Sequence, residues 1–290
     1  MQSITLKTPA KINLCLSVLG RRPDGYHDVE MLMQMVGLYD EVTVAVRDGI
    51  GVQISCDSDA VPPGEDNIAW KAGHALLKRA GRGAGLSITI RKSIPVAAGL
   101  GGGSSDAAAV LVAANAVLGM GLDREELADI GARLGMDVPF FFYGPTALAQ
   151  GRGERLTELP PLPKLQILLV NPGFATSTAW VYKNLNLRLT KKVDCNKILR
   201  LTVGNIAAGL HNDLETVTAA AHPVILSIRQ SLLEQGAAGV LMSGSGPTVF
   251  GIFETGMGCR AAAENLSNRG WKLFPTETLV ASPLSGHIRQ

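Results

Sequence analysis

What the chain lacks narrows its function. Its formal net charge is only +2, too little to attract nucleic acid or an anionic membrane surface. No long basic run exists; Arg21-Arg22 and Lys191-Lys192 read as solvated turn residues. No apolar run is long enough to span a bilayer, since the longest, at 107–117, is interrupted by Asn115. The first residues, Met1-Gln2-Ser3-Ile4, resemble neither a signal nor a transit peptide. The four cysteines, Cys15, Cys56, Cys195 and Cys259, are scattered with no C-x-x-C pair. That spacing predicts reduced, mostly buried thiols in a cytoplasmic protein and argues against a metal cluster. Internal repeats are also missing, and nothing bears on the oligomeric state.

What remains is a well-provisioned core: 46% hydrophobic and 18% charged residues over 290 positions, enough for one large or two ordinary domains. Period-two alternation predicts β structure over 3–57, broken by a turn at 20–27 around Pro23-Asp24-Gly25. Asp48-Gly49, between strands at 42–46 and 52–55, reads as a hairpin signal. Helices follow at 66–80, 105–118 and 125–134, the last capped by Asp123, with a strand at 86–90. The cluster Pro160-Pro161-Leu162-Pro163 marks the best boundary, dividing the chain into 1–160 and 161–290. Beyond it come a strand at 165–170, a helix capped by Thr176 or Ser177, a largely helical 196–234, strands at 240–242 and 248–253, a helix at 257–268 and a strand at 272–281. Strands and helices mix without regular alternation, so the fold class is α+β.

The chemistry-bearing stretch is Pro95-Val96-Ala97-Ala98-Gly99-Leu100-Gly101-Gly102-Gly103-Ser104-Ser105-Asp106, followed by an alanine-rich helix. Glycines this dense are costly inside a helix. They read as a loop that brings bare amides to a helix start, where unpaired N–H groups and the dipole favour a phosphate chain. The competing reading is a flexible linker before an ordinary helix. Ser104 and Ser105 could cap that helix or face phosphate, one of them in each role. Asp106 either offsets the helix dipole or points away or toward a cation, since a carboxylate facing phosphate would repel it. The stretch is not a P-loop, because no lysine follows Gly103. It is a poor dinucleotide fingerprint, because Ser104 stands where the third glycine belongs.

P-x-x-A-G-L-G-G-G-S-S does resemble the central loop of the GHMP small-molecule kinases, and other segments extend the resemblance over nearly the whole chain. They are Pro9-Ala10-Lys11-Ile12-Asn13-Leu14, Arg22-Pro23-Asp24-Gly25-Tyr26-His27, Leu134-Gly135-Met136-Asp137-Val138-Pro139 and Ser243-Gly244-Ser245-Gly246-Pro247. Met136 is a departure, where the family more often has alanine. The resemblance implies a two-domain fold, with an amino-terminal domain like domain 2 of ribosomal protein S5 and a ferredoxin-like carboxy-terminal one. It implies ATP and Mg²⁺ as cofactors, with ATP on 95–105. It makes Asp137 the base and Lys11 its cationic partner, and leaves the metal ligands unassigned. The first two segments point to the family branch whose small-molecule substrate is a cytidine diphosphate-linked methylerythritol. Asn13, Tyr26, His27 and Tyr182 would then bind substrate, with Tyr26 and Tyr182 stacking on the base and His27 bonding its edge. Read alone, Lys11 is a solvated strand-end lysine, Asp137 a cap or surface charge, and Tyr182 core packing. The turn at 243–246 has no catalytic side chain; it packs on the first glycine loop or closes over the diphosphate.

Overall fold

The computed structural model describes residues 3–81, 83–188, 190, 193–200 and 202–289, so Lys191 and Lys192 lie outside the described residues. The chain opens with two long strands, β1 (Ser3–Arg21) and β2 (His27–Arg47), paired antiparallel along almost their full length. After β3 (Gly51–Cys56) come helix α1 (Ile68–Ala80), β4 (Gly85–Arg91), α2 (Gly102–Val117) and α3 (Arg124–Leu134). β5 (Thr146–Gly151) and β6 (Arg155–Glu158) complete the first half. The first sheet runs β3-β4-β2-β1, and β5 pairs with the early part of β2.

The Asp48-Gly49 signal does reverse the chain, but it does not make a hairpin. β4 inserts between the two strands, antiparallel to β2 and parallel to β3. The physical reason is burial. Leu86, Ile88 and Ile90 of β4 are buried, whereas β3 is only half covered, so the more apolar strand takes the interior position.

α2 is buried on nearly every side, as its alanine-rich sequence allows, and packs across β1 and β2. Its Asn115 exchanges two hydrogen bonds with the backbone of Leu122 (2.9 and 3.0 Å), which satisfies the one polar group in the run. α3 starts at a capping box between Asp123 and Glu126, as expected from Asp123.

The second half builds a separate four-stranded antiparallel sheet in the order β11-β7-β10-β9, from β7 (Gln166–Asn171), β9 (Gly239–Met242), β10 (Val249–Phe253) and β11 (Lys272–Glu277). Three helices accompany it: α5 (Glu215–Ala221), α6 (Val224–Glu234) and α7 (Gly256–Leu266), with the short α4 (Thr178–Lys183) following β7. α6 packs on β9 and β10, and α7 on β7 and β11. Strand, helix, two strands, helix, strand in this order is the ferredoxin-like arrangement. The stretch 196–234 is less helical than its composition suggests. It begins with two 3₁₀ turns and includes β8 (His211–Asn212), which adds to β1 in parallel.

One reading of the cysteines is overturned. Cys15 on β1 and Cys195, 180 positions later, are joined by a disulfide with Cα atoms 5.5 Å apart. Only Cys56 and Cys259 are free. Sequence spacing could not reveal the pair, because tertiary packing alone brings that 3₁₀ turn against β1. Among the described residues no helix is long and apolar enough to cross a membrane.

Candidate active site

β1 alternates faces, so Ala10, Ile12 and Leu14 enter the core while Lys11 and Asn13 face the opposite way. Both polar residues are buried and line a cavity of about 970 Å³, the size of a small-molecule site. Lys11 Nζ donates to Asn13 Oδ1 at 2.7 Å and lies 3.3 Å from Asp137 Oδ2. Asp137 follows the end of α3, in a turn fixed by Val138 N–H donating to Gly135 C=O (3.1 Å). Its side chain is 28% exposed. A buried ammonium thus holds a carboxylate at the edge of an open cavity, where both can meet a hydroxyl.

The glycine loop lies against this pair. A Cβ on Gly101 would stand 2.9 Å from Lys11 Cγ and 3.2 Å from its Cε, so the missing side chain is the passage for the lysine. Five successive loop carbonyls are tied down by protein donors. Ala97 accepts from Thr176 N–H, Ala98 from Thr248 N–H, Gly99 from Ser243 Oγ, Leu100 from Lys11 N–H and Gly101 from Ser105 N–H. With the negative ends occupied, the amides of Gly102, Gly103 and Ser104 precede the first helical bond and remain for an anion.

The helix begins earlier than the sequence suggests. Gly101, left-handed at φ 69°, is its N-cap, and Gly102 and Gly103 form its first turn. Neither serine caps it by side chain. Ser105 is fully buried and donates to Pro9 C=O at 2.7 Å, with Thr8 Oγ1 against it. It is a bolt between α2 and β1, not part of the cradle. Leu100 likewise turns into the core, whereas Pro95, Val96, Ala97, Ala98, Gly99, Gly101, Gly102, Gly103 and Ser104 all line the cavity. Asp106 lies beyond the first turn and faces Lys92 at 2.8 Å, so it is not the dipole-compensating residue that sequence position suggests.

The second glycine turn packs directly on the first. A Cβ on Gly99 would sit 2.0 Å from Ser243 C=O. Asn212 secures the turn by donating to Met242 C=O and Gly244 C=O, both at 2.8 Å.

Also on the cavity wall, His27 and Tyr182 stack with ring centroids 5.1 Å apart. Burial, reinforced by Arg21, lowers the His27 pKa, so its ring is neutral and can exchange hydrogen bonds with a base edge. Burial, then Asp137 and Asp213, pushes the Tyr182 hydroxyl up. Tyr26 is 52% exposed, with the Arg152 guanidinium 5.2 Å from its ring centre. The six residues expected outside the loop all line the same cavity: Lys11, Asn13 and Asp137 meet at one point, and Tyr26 joins the stacked His27 and Tyr182 on its wall. Sequence reasoning missed Lys92 and Arg152, which also line the cavity. Arg152 carries a faint signal, since it stands between two glycines, Gly151 and Gly153, both of positive φ. Lys92 carries none.

The sequence matches the GHMP kinases N terminal domain over residues 67–145 and the GHMP kinases C terminal domain over 197–272. The chain belongs to the GHMP kinases. A relative in Pelobacter propionicus, a 4-diphosphocytidyl-2-C-methyl-D-erythritol kinase, is 53% identical over 282 residues, covering 96% of this chain and 100% of the relative. A crystal structure of 4-(cytidine 5'-diphospho)-2C-methyl-D-erythritol kinase superimposes with a TM-score of 0.81 at 34% identity, covering 95% of this chain and 99% of the other. Homoserine kinase from Cytophaga hutchinsonii shares the fold, with a TM-score of 0.72 at 21% identity over 97% of this chain and 96% of its own.

Proposed function

We propose that the protein transfers the γ-phosphoryl group of ATP to the 2-hydroxyl of 4-diphosphocytidyl-2-C-methyl-D-erythritol. The products are the 2-phosphate and ADP, in the non-mevalonate route to isoprenoid precursors. The observation that carries this reading is the convergence of Lys11 and Asp137 on the glycine-loop amides, in one cavity that His27 and Tyr182 also line. The relatives named above supply the particular substrate.

In this reading the substrate hydroxyl sits between Asp137 and the end of the phosphate chain. Its oxygen attacks the γ-phosphorus, the bond to the β-bridging oxygen breaks, and ADP leaves. Asp137 orients the hydroxyl and receives its proton. A loose transition state asks for little early deprotonation, so orientation contributes most of its effect. Lys11 stabilises the negative charge that grows on the attacking oxygen, and Asn13 fixes the ammonium. The amides of Gly102, Gly103 and Ser104 bind phosphate oxygens. Tyr26, His27 and Tyr182 bind the cytidine end. Mg²⁺ would neutralise the nucleotide phosphates. No group of three or more His, Cys, Asp or Glu that could hold a metal ion occurs among the described residues. We also take 1–160 and 161–290 as the two domains and the cytoplasm, where ATP is plentiful, as the compartment.

Two rivals are a GHMP kinase of the homoserine or mevalonate type and a nucleotide sensor on the same fold. Initial rates of ADP release with Mg·ATP and each of the three acceptors separate them. Turnover is expected with the cytidyl substrate alone. Preference for homoserine or mevalonate refutes the substrate, and no ADP with any acceptor favours the sensor.

A further inference from the structure

Beneath the loop lies a charged cluster that the mechanism above does not use. Lys92, at the end of β4, is buried and touches both Asp40 and Asp106, the latter at 2.8 Å. Asp40, within the long β2, is fully engaged. Its second oxygen accepts the N–H groups of Ser93 and Ile94 (2.6 and 2.8 Å), which lead directly into the glycine loop. Lys92 N–H donates to Asp57 at 2.8 Å, and its Nζ would lie 3.3 Å from a Cβ on Gly102. The cluster therefore joins the strand before the loop, the loop and the helix after it.

Its charge does not balance. With all three groups ionised, one lysine faces two carboxylates, under the segment that would receive a polyanion. Asp106 is only 3% exposed, and its Oδ1 has no hydrogen-bond partner. Both Asp106 and Lys92 line the cavity. We propose that this cluster is a proton-linked seat for the nucleotide: when the phosphate chain binds, Asp106 takes up a proton on its carboxylate, and Lys92, still held by Asp40, becomes the positive group under the loop. Asp106 and Asp40 are positioning residues that act through Lys92. The inference rests on the reading of 95–104 as the nucleotide loop.

The direction follows from electrostatics. Burial, opposed by Lys92 and supported by Asp40, raises the Asp106 pKa from 3.8 to about 7. The groups that face it are Lys92 and Asp40, with Cys56 and Asp57 at the end of β3 nearby. The charges of Asp106 and Asp57 help raise the Cys56 thiol, itself pushed up by burial first, so that thiol stays neutral. A single negative charge brought within about 10 Å at an effective dielectric of about 20 favours protonation by more than tenfold. With the carboxyl raised to about 7, the ionised share of Asp106 in the free protein, and with it the proton left to be taken up, grows from pH 6 to pH 8.

The test is calorimetry of Mg²⁺ and a non-hydrolysable ATP analogue binding to the full chain, in buffers of different ionisation enthalpy at pH 6, 7 and 8. Uptake should rise with pH toward one proton and vanish in Asp106→Asn, whose nucleotide affinity should lose its pH dependence. The pH series on the unaltered protein stands even where the variant folds poorly. Binding without uptake, or uptake that persists in Asp106→Asn, overturns this proposal and leaves the kinase reading intact. Proton release would mean that a cation displaces the proton at Asp106, and overturns it too. No analogue binding at any pH sinks the nucleotide-loop reading together with this one.

Discussion

Gly99→Ala tests how the two glycine turns support each other. Gly99 is left-handed at φ 78°, and a Cβ there would approach Ser243 C=O to 2.0 Å and Gly246 N to 3.0 Å. Both obstacles are backbone, so neither can swing aside as a side-chain tip could. Restoring an ordinary contact separates the turns by more than about 1 Å, far enough to break Ser243 Oγ to Gly99 C=O and Thr248 N–H to Ala98 C=O, now 2.9 and 3.3 Å. The left-handed alanine costs ~1–2 kcal/mol and each bond ~0.5–1.5 kcal/mol, a total of about 2–5 kcal/mol. That is a large share of the ~5–15 kcal/mol typical of a folded domain. Displacing the loop by this much should also raise the KM for ATP. Gly103→Ala is the control. Its nearest neighbour, Ile68 Cγ2, is 3.7 Å away and its backbone is already helical, so stability should hold or rise by up to ~1 kcal/mol. Urea unfolding followed by tryptophan fluorescence measures stability, and coupled ADP release measures KM. If Gly99→Ala melted within 0.5 kcal/mol (about the error of such fits) of the unaltered protein with unchanged KM, the two turns would not be interlocked as described.

Three further outcomes are expected. Asp137→Asn and Lys11→Met should each lower kcat by roughly 10²–10⁴ with unchanged thermal unfolding; near-normal turnover in either refutes its role. Tyr182→Ala should raise the KM for the cytidyl substrate roughly 5- to 150-fold, the equivalent of ~1–3 kcal/mol of stacking, and leave the KM for ATP alone; an equal rise in both would mean that Tyr182 only packs. In the nucleotide-free protein, Asp106 holds a proton up to about pH 7 when folded but only to its ordinary value of 3.8 when unfolded. The folded state thus binds more protons in that window, and this contribution to stability falls as pH rises through it, by at most ~1.4 kcal/mol per pH unit. Urea melts at pH 5–8 should show Asp106→Asn gaining on the unaltered protein as pH rises; a constant difference refutes the argument.

The local features were legible because local chemistry sets them. Asp123 capped α3, Ser177 capped α4 and Asn67 capped α1, each accepting a nearby backbone N–H. The period-two runs became strands. Ser105 misled because a hydroxyl beside a helix start is as able to bolt two elements together as to cap one. The Asp48-Gly49 turn misled because a turn fixes chain reversal but not which strand fills the gap.

By itself, then, the sequence determined where bare amides gather, which helix they start, and which lysine and aspartate are candidates for chemistry. Those are properties of residue type and near neighbours. Only the tertiary structure decided that Gly101 leaves room for Lys11, that Gly99 must meet Ser243 and that Cys15 bonds Cys195. It alone placed Lys92 under a loop whose own sequence holds no lysine. Each is a contact between segments far apart in the chain, set by how sheets and helices pack, and no local pattern encodes it.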